Sequence, residues 1–310
     1  MRLEAESYLK SGSNEVRILE YRLGGRSFGI NILKVKRIVN DLPLLTGTPN
    51  SPDYVVGVFR DRDNVVPIID LMAFLGLPDV ERLEQKKVII TEFFGMLNAF
   101  FVDHIDWIHH FHWEDVIDAD AVLTAFDHKY VIGIVKPSET RMIQLLDYET
   151  IILGLSPSLR SRELDKMKNL SHTTTGKRIL ISEDSQSVRD MLTVELTEYG
   201  FEVVAAKNGQ EALKHIEAGE QFDLVISDVE TPQMDGLALT CAIRNREETS
   251  DLPVIIYSSI GDLGMKKRAE FLKASAHITK LNVEELLEKV TELTTAKRSP
   301  EMQTATVPIH

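Results

Sequence analysis

The spacing of hydrophobic residues changes about halfway along the chain. Before about residue 155 the apolar residues form short runs rich in β-branched side chains, such as VRILEYRL, VVPIIDL and KKVIITEFF. Turn residues such as Gly24 and Gly25 lie between runs, as they do between the strands of β-hairpins. The pattern predicts an all-β unit over the first half of the chain.

After about residue 177, strand-like runs alternate with amphipathic stretches long enough for helices. Five runs are each followed by one such stretch: RILIS, FEVVAA, FDLVISD, PVIIYSS and AHITK. This alternation is typical of a parallel sheet covered by helices on both faces. The second half is therefore predicted to be an α/β doubly wound (βα)5 unit.

The stretch between these units, SPSLRSRELDKMKNLSHTTTGK, has no apolar run and is rich in Ser, Thr and Lys, which is typical of a linker. We therefore expect domains at residues 1–155 and 177–296 with a linker at 156–176. Residues 297–310 are polar and include proline, which predicts a disordered tail.

Charge and cysteine content exclude several classes of protein. The formal net charge is −13, and both halves are acidic, so neither offers the basic surface that nucleic acid binding requires. Cys241 is the only cysteine, which rules out an intrachain disulfide and fits a reducing compartment. The N-terminus is charged and no apolar run is long enough to span a bilayer, which predicts a soluble cytoplasmic protein without direct membrane insertion.

Polar residues follow the predicted parallel strands, where ligands bind in open α/β sheets. Glu183 and Asp184 follow the first strand, Asp228 the third, Ser258 ends the fourth and Lys280 follows the fifth. Three neighbouring carboxylates need a cation, and an all-oxygen site suits Mg²⁺. One carboxylate could then attack a phosphoryl group while the lysine and the hydroxyl balance its charge, which would give an acyl phosphate on aspartate.

Together with the segment DVETPQMDG, this set resembles the response-regulator receiver domain over about residues 177–296, a flavodoxin-like fold. The resemblance implies that Asp228 is the phosphoacceptor, Ser258 the switch hydroxyl and Lys280 the phosphate-binding amine. It further implies that Mg²⁺ is held by the side chains of Glu183, Asp184 and Asp228 and by the backbone carbonyl of Glu230.

The sequence departs from the receiver pattern at three positions. Leu281 stands where the family usually has proline, and His277 stands where it has Tyr or Phe. Glu230 occupies a position that governs phosphate lifetime in the family, and its side chain is expected to project toward the mouth of the site. Switching through an aromatic rotamer is therefore not expected here.

The first half resembles the CheW-like coupling domain of bacterial chemotaxis over about residues 14–155. The resemblance is carried by EYRLGGRSFGINILKVKRIV, by GVFRDRDNVVPIIDL and by FFVDHIDWI followed by WEDV. It implies two packed SH3-like β-barrels that bind other proteins and catalyse no reaction. Candidate contact residues are Ile32, Val35, Val56 and Val58, although strand residues of this kind are more often core.

A CheW-like domain joined to a receiver resembles the CheV-type chemotaxis coupling proteins. The implied function is a non-enzymatic, phosphorylation-regulated scaffold at membrane-bound chemoreceptor arrays. Its implied partners are the chemotaxis histidine kinase and the cytoplasmic tips of methyl-accepting chemoreceptors.

Two alternatives remain open from the sequence. The receiver could be a phosphate sink for the kinase, localised by its coupling domain. Alternatively, the first half could be a receiver-controlled, metal-dependent enzyme that uses the histidines of DHIDWIHHFHWEDV. Apolar residues interrupt that cluster, and only His110 and His112 of its closely spaced members share a face if the segment is a strand.

Overall fold

The computed structural model describes residues 14–40, 44–78, 87–123, 129–155, 176–259 and 263–295. The predicted tail and, apart from Gly176, the predicted linker lie outside the described residues. No described helix is both long enough and apolar enough to cross a membrane.

The first half of the chain folds into two mixed β-sheets. One sheet has the strand order β8-β1-β2-β11-β10-β9 and the other the order β3-β6-β7-β5-β4. Their strands are β1 (Glu15–Leu23), β2 (Arg26–Asn31), β3 (Val35–Val39), β4 (Val55–Asp61), β5 (Asn64–Asp70), β6 (Lys87–Phe93), β7 (Met96–Val102), β8 (His104–His112), β9 (Ile117–Asp118), β10 (Val131–Ser138) and β11 (Arg141–Leu146).

Short helical segments connect these strands and close the unit. They are a 3-10 turn at Ile32–Lys34, α1 (Leu71–Phe74), a 3-10 turn at Trp113–Asp115, α2 (Ala119–Val122) and α3 (Tyr148–Leu155). The predicted hairpin between β1 and β2 is present, and Gly24 and Gly25 both have positive φ angles, of 54° and 74°. This is the backbone conformation that a two-residue hairpin turn requires.

Buried aromatic and aliphatic side chains of both sheets form one large core, which α3 helps to close. Tyr148, at the start of α3, lies between Phe93 and Phe100, and its hydroxyl donates a 2.8 Å hydrogen bond to the Tyr21 hydroxyl. The first turn of α3 is thereby fixed against the sheets.

The second half forms a five-stranded parallel sheet with the order β13-β12-β14-β15-β16. The predicted doubly wound (βα)5 arrangement is confirmed: hydrophobic clusters lie on both faces of the sheet. The elements are β12 (Arg178–Ser182), α4 (Gln186–Glu198), β13 (Glu202–Ala206), α5 (Gly209–Glu217), β14 (Leu224–Ser227), α6 (Gly236–Arg244), β15 (Val254–Ser258), α7 (Leu263–Phe271), β16 (Ala276–Thr279) and α8 (Val283–Thr295).

The two units share a buried interface. Leu153 of α3 is buried in a hydrophobic cluster whose other buried members belong to the second unit, and Phe94 of the first unit packs against the same cluster. Helix α3 packs beside α4. Apolar contacts between the units therefore continue one core into the other.

Candidate phosphoryl-acceptor site

The parallel sheet brings the predicted acidic residues together at one edge. Glu183 and Asp184 follow β12 and Asp228 follows β14, two strands that pair directly. One carboxylate oxygen from each of the three residues lies within 4.8 Å of the others. Among the described residues, this is the group of acidic and histidine side chains close enough to hold a metal ion together.

Lys280 follows β16 and reaches across the edge to these carboxylates. Its side chain is fully buried, and its Nζ lies 2.9 Å from Asp228 Oδ2 and 2.9 Å from Glu183. Burial opposes the charged form of the amine, but the charges of Asp228, Glu149 and Glu183 outweigh it and raise the pKa of Lys280 well above its usual range. Lys280 is thus held as a cation beside the predicted phosphoacceptor.

The carboxylates fit a divalent cation chemically. Asp228 Oδ1 is buried and receives no hydrogen bond from any described residue, so it is free to bind a cation. Burial raises the pKa of Glu183 and of Asp184 well above their usual ranges, and the charge of Asp228 adds to the effect on both. A divalent cation would offset the repulsion between these groups and satisfy the orphaned oxygen.

Two consecutive serines lie at the same edge: Ser258 ends β15 and Ser259 follows it. Ser258, the predicted switch hydroxyl, is fully buried. The hydroxyl of the next residue, Ser259, donates a 2.5 Å hydrogen bond to Glu149. Ser259 was not predicted to take part, although the Ser-Ser pair at the strand end was visible in the sequence.

A glycine lies directly behind the predicted phosphoacceptor. A Cβ atom on Gly236, the first residue of α6, would lie 2.1 Å from the backbone oxygen of Asp228. The segment DVETPQMDG therefore needs glycine at its end because the helix backbone approaches the Asp228 peptide too closely for a side chain.

The first unit covers this edge of the sheet with two charged residues. Glu149, in the first turn of α3, accepts a 2.6 Å hydrogen bond from Lys280 through Oε2. Its other oxygen, Oε1, accepts from Ser259 and, at 3.1 Å, from Lys34. Burial by itself raises the pKa of Glu149, but Lys280 and Lys34 reverse this effect and lower it to about 2.

Lys34, at the end of the first 3-10 turn, joins three groups of the interface. Its Nζ lies 2.6 Å from Glu230 Oε2, 2.7 Å from Ser259 Oγ and 3.1 Å from Glu149 Oε1. Burial lowers the pKa of Lys34, but the charges of Glu230 and Glu149 outweigh it and raise the pKa above its usual range.

The side chain of Glu230 contacts the first unit. Besides the ion pair with Lys34, it accepts a hydrogen bond from Asn31, and the residue is buried. Burial raises the pKa of Glu230, an effect that Lys34 partly offsets. The carboxylate expected at the mouth of the site is therefore part of the contact between domains.

Polar contacts around the rim hold the two units together. Asn14 donates to the Gln233 carbonyl at 2.9 Å, the Gln233 amide donates to the Trp113 carbonyl at 3.0 Å, and Lys207 pairs with Asp118 at 2.5 Å. A crevice of about 440 Å³ remains between the units and is lined by Asp184, Lys207 and Asp147, among others. Asp184 is therefore open to this crevice, while Asp228 lies deeper.

The four predicted coupling residues lie on three elements: the first 3-10 turn, β3 and β4. Val56 and Val58 lie on the outward face of β4, and Val56 is exposed. Ile32 and Val35, by contrast, lie on either side of Leu33 and Lys34 and pack partly buried against the large core. On β8, His110 and His112 are exposed as predicted for one face of a strand, while His109 contacts the buried Glu20 at 2.7 Å.

Sequence reasoning missed Lys34, Asn31, Glu149 and Ser259. Glu149 was detectable as the only charged residue in the apolar stretch YETIILGL, and Lys34 follows an equally apolar stretch, GINIL. Such isolated charges in apolar stretches suggest buried ion pairs, but the sequence does not show with which residues they pair.

Comparison with known proteins agrees with this architecture. The CheW-like domain family matches residues 17–154, and the response regulator receiver domain family matches residues 179–291. Two curated relatives from Helicobacter pylori are similar along nearly the whole chain. Chemotaxis protein CheV3 is 27% identical over 299 residues, covering 90% of this chain and 95% of the relative. Chemotaxis protein CheV2 is 27% identical over 294 residues, covering 89% and 94%.

A solved structure is similar to the second unit. Response regulator protein TrrA from Thermotoga maritima, solved in complex with Mg²⁺-BeF, is 35% identical, with a TM-score of 0.35. The similarity covers 38% of this chain and 98% of that one.

Proposed function

We propose that this chain, a CheV-type chemotaxis adaptor in which a CheW-like domain precedes a receiver domain, couples chemoreceptors to the chemotaxis histidine kinase under the control of phosphorylation at Asp228. One observation carries the proposal. The edge of the receiver that holds Asp228 is the surface on which the CheW-like domain packs, through Glu149 and Lys34. A change of charge at Asp228 therefore acts directly on the coupling domain.

The proposed reaction is transfer of a phosphoryl group from a histidine of the kinase to Asp228. A carboxylate oxygen of Asp228 attacks phosphorus, the phosphorus–nitrogen bond breaks, and its electron pair remains on the imidazole nitrogen of the donor. Lys280 Nζ contacts Asp228 Oδ2 at 2.9 Å, and we propose that this amine and the hydroxyl of Ser258 balance charge on the phosphoryl oxygens.

Mg²⁺ is the proposed cofactor, held by side chains of Glu183, Asp184 and Asp228 and by the backbone carbonyl of Glu230. When bound, the ion supplies positive charge that neutralises the acidic cluster and the phosphoryl oxygens. The support is the close carboxylate trio with its orphaned oxygen.

The CheW-like domain is proposed to bind its partners through the outward face of β4 and β5. Val56 and Val58 share this face with Val65, which is 71% exposed. Exposed apolar side chains gathered on one sheet face are typical of a protein-binding surface. We propose the kinase and the chemoreceptor tips as partners, and therefore location at receptor arrays.

The interface favours regulation over a phosphate sink. A sink needs the coupling domain only to localise the receiver, whereas here Lys34 and Glu149 from the coupling domain form ion pairs beside the phosphoacceptor. The alternative of a metal-dependent enzyme has less support, since His109 is engaged with Glu20 while His110 and His112 face outward.

The decisive experiment measures transfer of labelled phosphate from the phosphorylated chemotaxis kinase to the full-length chain. We expect acid-labile, hydroxylamine-sensitive label on the wild type and none on Asp228→Asn, because an amide is a poor nucleophile and an uncharged ligand. Asp251→Asn, at an exposed position before β15, is the matched control and should be labelled like the wild type. Label retained on Asp228→Asn would show that the phosphoacceptor lies elsewhere.

A second measurement tests coupling. Kinase activity in reconstituted receptor arrays should respond to phosphodonor when wild type is added and should not respond with Asp228→Asn. An equal response with both proteins would contradict regulation through Asp228.

A further inference from the structure

Glu149 of the CheW-like domain lies where the anion-binding groups of the receiver converge. Its carboxylate accepts hydrogen bonds from Lys280 Nζ at 2.6 Å and Ser259 Oγ at 2.5 Å. The same Lys280 Nζ contacts Asp228 Oδ2 at 2.9 Å. The carboxylate therefore shares its ammonium partner with the proposed phosphoacceptor.

The contact has the features of a specifically bound anion. Glu149, Lys280 and Lys34 are all buried, and two cations flank the one carboxylate. The three N–H groups of Lys280 correspond to its three carboxylate partners, Glu149, Glu183 and Asp228. Lys280 consequently has no donor left for a further anionic oxygen while Glu149 stays in place.

The packing and capping of α3 also hold Glu149 in position. Asp147 accepts hydrogen bonds from the amide and hydroxyl of Thr150 at 2.9 and 2.6 Å and so fixes the first turn of α3. Tyr148 and Leu153, on either side of Glu149, are buried in hydrophobic cores. The carboxylate therefore leaves Lys280 only if α3 moves with it.

We propose that Glu149 is an intramolecular occupant of the receiver's phosphoryl-binding groups, and that a phosphoryl group on Asp228 displaces it and loosens the contact between α3 and the receiver. The inference rests on the proposed phosphorylation of Asp228. A phosphoryl group brings nearly two negative charges to a site that already holds Glu149 and Glu230. Lys280 and Ser259 then exchange the carboxylate of Glu149 for phosphoryl oxygens.

The exchange links the two domains in both directions. Phosphorylation weakens docking of α3, and any partner that draws the CheW-like domain away from the receiver frees Lys280 and favours phosphorylation, because coupling between two equilibria is reciprocal. The CheW-like domain thereby reports the state of Asp228 to the proteins that it binds.

The first test compares the rates at which full-length proteins are labelled by acetyl phosphate, a small phosphodonor that needs no kinase docking. Glu149→Gln keeps the size of the side chain and removes its charge, so we expect the initial rate of labelling at Asp228 to rise about tenfold or more, as for loss of a buried charged competitor. Asp120→Asn removes an exposed charge of the same interface, which pairs with Lys207 at 3.3 Å, and should label at the wild-type rate.

The second test uses only the wild-type protein and so does not depend on how a variant folds. Amide hydrogen exchange across Tyr148–Leu155 should become at least about tenfold faster when Asp228 is phosphorylated, since weaker docking lets α3 open more often. The amides of β6 and β7, inner strands of one sheet of the first unit, should keep their protection from exchange.

The outcomes separate this inference from the proposed function. Label on Asp228 with no acceleration in Glu149→Gln, or with unchanged exchange in α3, would overturn the displacement of Glu149 and leave phosphorylation standing. Absence of label from the wild type with both acetyl phosphate and the kinase would overturn the proposed function and this inference with it.

Discussion

Lys280 Nζ lies 2.6 Å from Glu149 Oε2, although the two residues are 131 positions apart and belong to different domains. The fully buried lysine side chain makes this ion pair at the edge of the receiver that carries Asp228. Breaking a buried pair by removing one partner leaves an uncompensated charge and costs much more than breaking an exposed pair. Substitutions at the contact between the domains should therefore have large effects, and neighbouring exposed pairs supply controls.

Lys34→Met should destabilise the full-length protein by about 3 kcal/mol, because Glu230 and Glu149 would each lose a buried cationic partner. Lys36→Met is the matched control, since Lys36 pairs with Glu92 through a side chain that is 53% exposed, and such pairs contribute less than about 1 kcal/mol. Urea unfolding of both variants measures the difference. Equal losses of stability would show that the contact of Lys34 is not buried in solution.

Asp184→Asn should abolish detectable Mg²⁺ binding, because two remaining carboxylates leave an incomplete oxygen shell. Calorimetric titration of the full-length protein measures the binding. Asp190→Asn, on the exposed face of α4 a few residues further on, removes the same charge and should bind Mg²⁺ as the wild type does. A normal titration of Asp184→Asn would exclude this residue as a ligand.

Leu281→Pro should be destabilising, although the receiver pattern has proline there. Leu281 has a φ of 63°, which proline cannot adopt, and its amide donates a 2.8 Å hydrogen bond to the hydroxyl of the buried Tyr257. Losing this bond and straining the backbone should cost about 2 kcal/mol or more. Leu281→Ala is the control, because it keeps the amide and loses only side-chain packing. Thermal unfolding measures both variants. A melting temperature of Leu281→Pro equal to or above that of Leu281→Ala would contradict the backbone argument.

Val56→Asp should weaken binding to receptor–kinase assemblies without unfolding the domain. Val56 is exposed on the outward face of β4, so the substitution should change the free energy of unfolding by less than about 0.5 kcal/mol. A charge in a protein-binding patch should lower co-sedimentation with arrays about tenfold. Met142→Asp, on β11 in the other sheet and 61% exposed against 37% for Val56, is the control. If both variants sediment like the wild type, the binding surface lies elsewhere.

The meeting of Glu183, Asp184 and Asp228 at one sheet edge was predictable because strand periodicity and topology determine it. Once the runs RILIS and FDLVIS are recognised as parallel strands, Glu183 and Asp228 must lie at the same edge. No side-chain detail is needed for this step. The general fold of both halves followed from the same kind of local pattern.

The docking of the domains was not predictable in the same way. Glu149 and Lys34 meet Lys280 and Glu230 only because two separate units pack together, and no periodic pattern records which faces do so. The polar linker predicted a boundary between two units but not whether the units touch, and Leu153 is buried in the receiver's hydrophobic cluster. The position of Glu230 relative to Asp228 was evident from the sequence, but the partner of its side chain was not, because that partner, Lys34, belongs to the other domain.

Gly236→Ala should impair the proposed phosphoacceptor, Asp228, without removing any functional group of the site. The added Cβ would lie 2.1 Å from the Asp228 carbonyl oxygen and 2.7 Å from Ser227 Oγ, far closer than van der Waals contact allows. Relief requires that α6 or the Asp228 peptide move, which shifts the carboxylate relative to Lys280. Alanine is no worse a helix former than glycine, so a loss of stability would have to come from the collision.

The matched control is Gly154→Ala in α3, where the nearest atom to the new Cβ is Phe74 Cζ at 3.7 Å, an ordinary contact. We expect slower labelling of Asp228 and a lower melting temperature for Gly236→Ala, and neither effect for Gly154→Ala. Unchanged labelling of Gly236→Ala would mean that the Asp228 peptide moves aside without disturbing its carboxylate, which contradicts the close packing of α6 against the site.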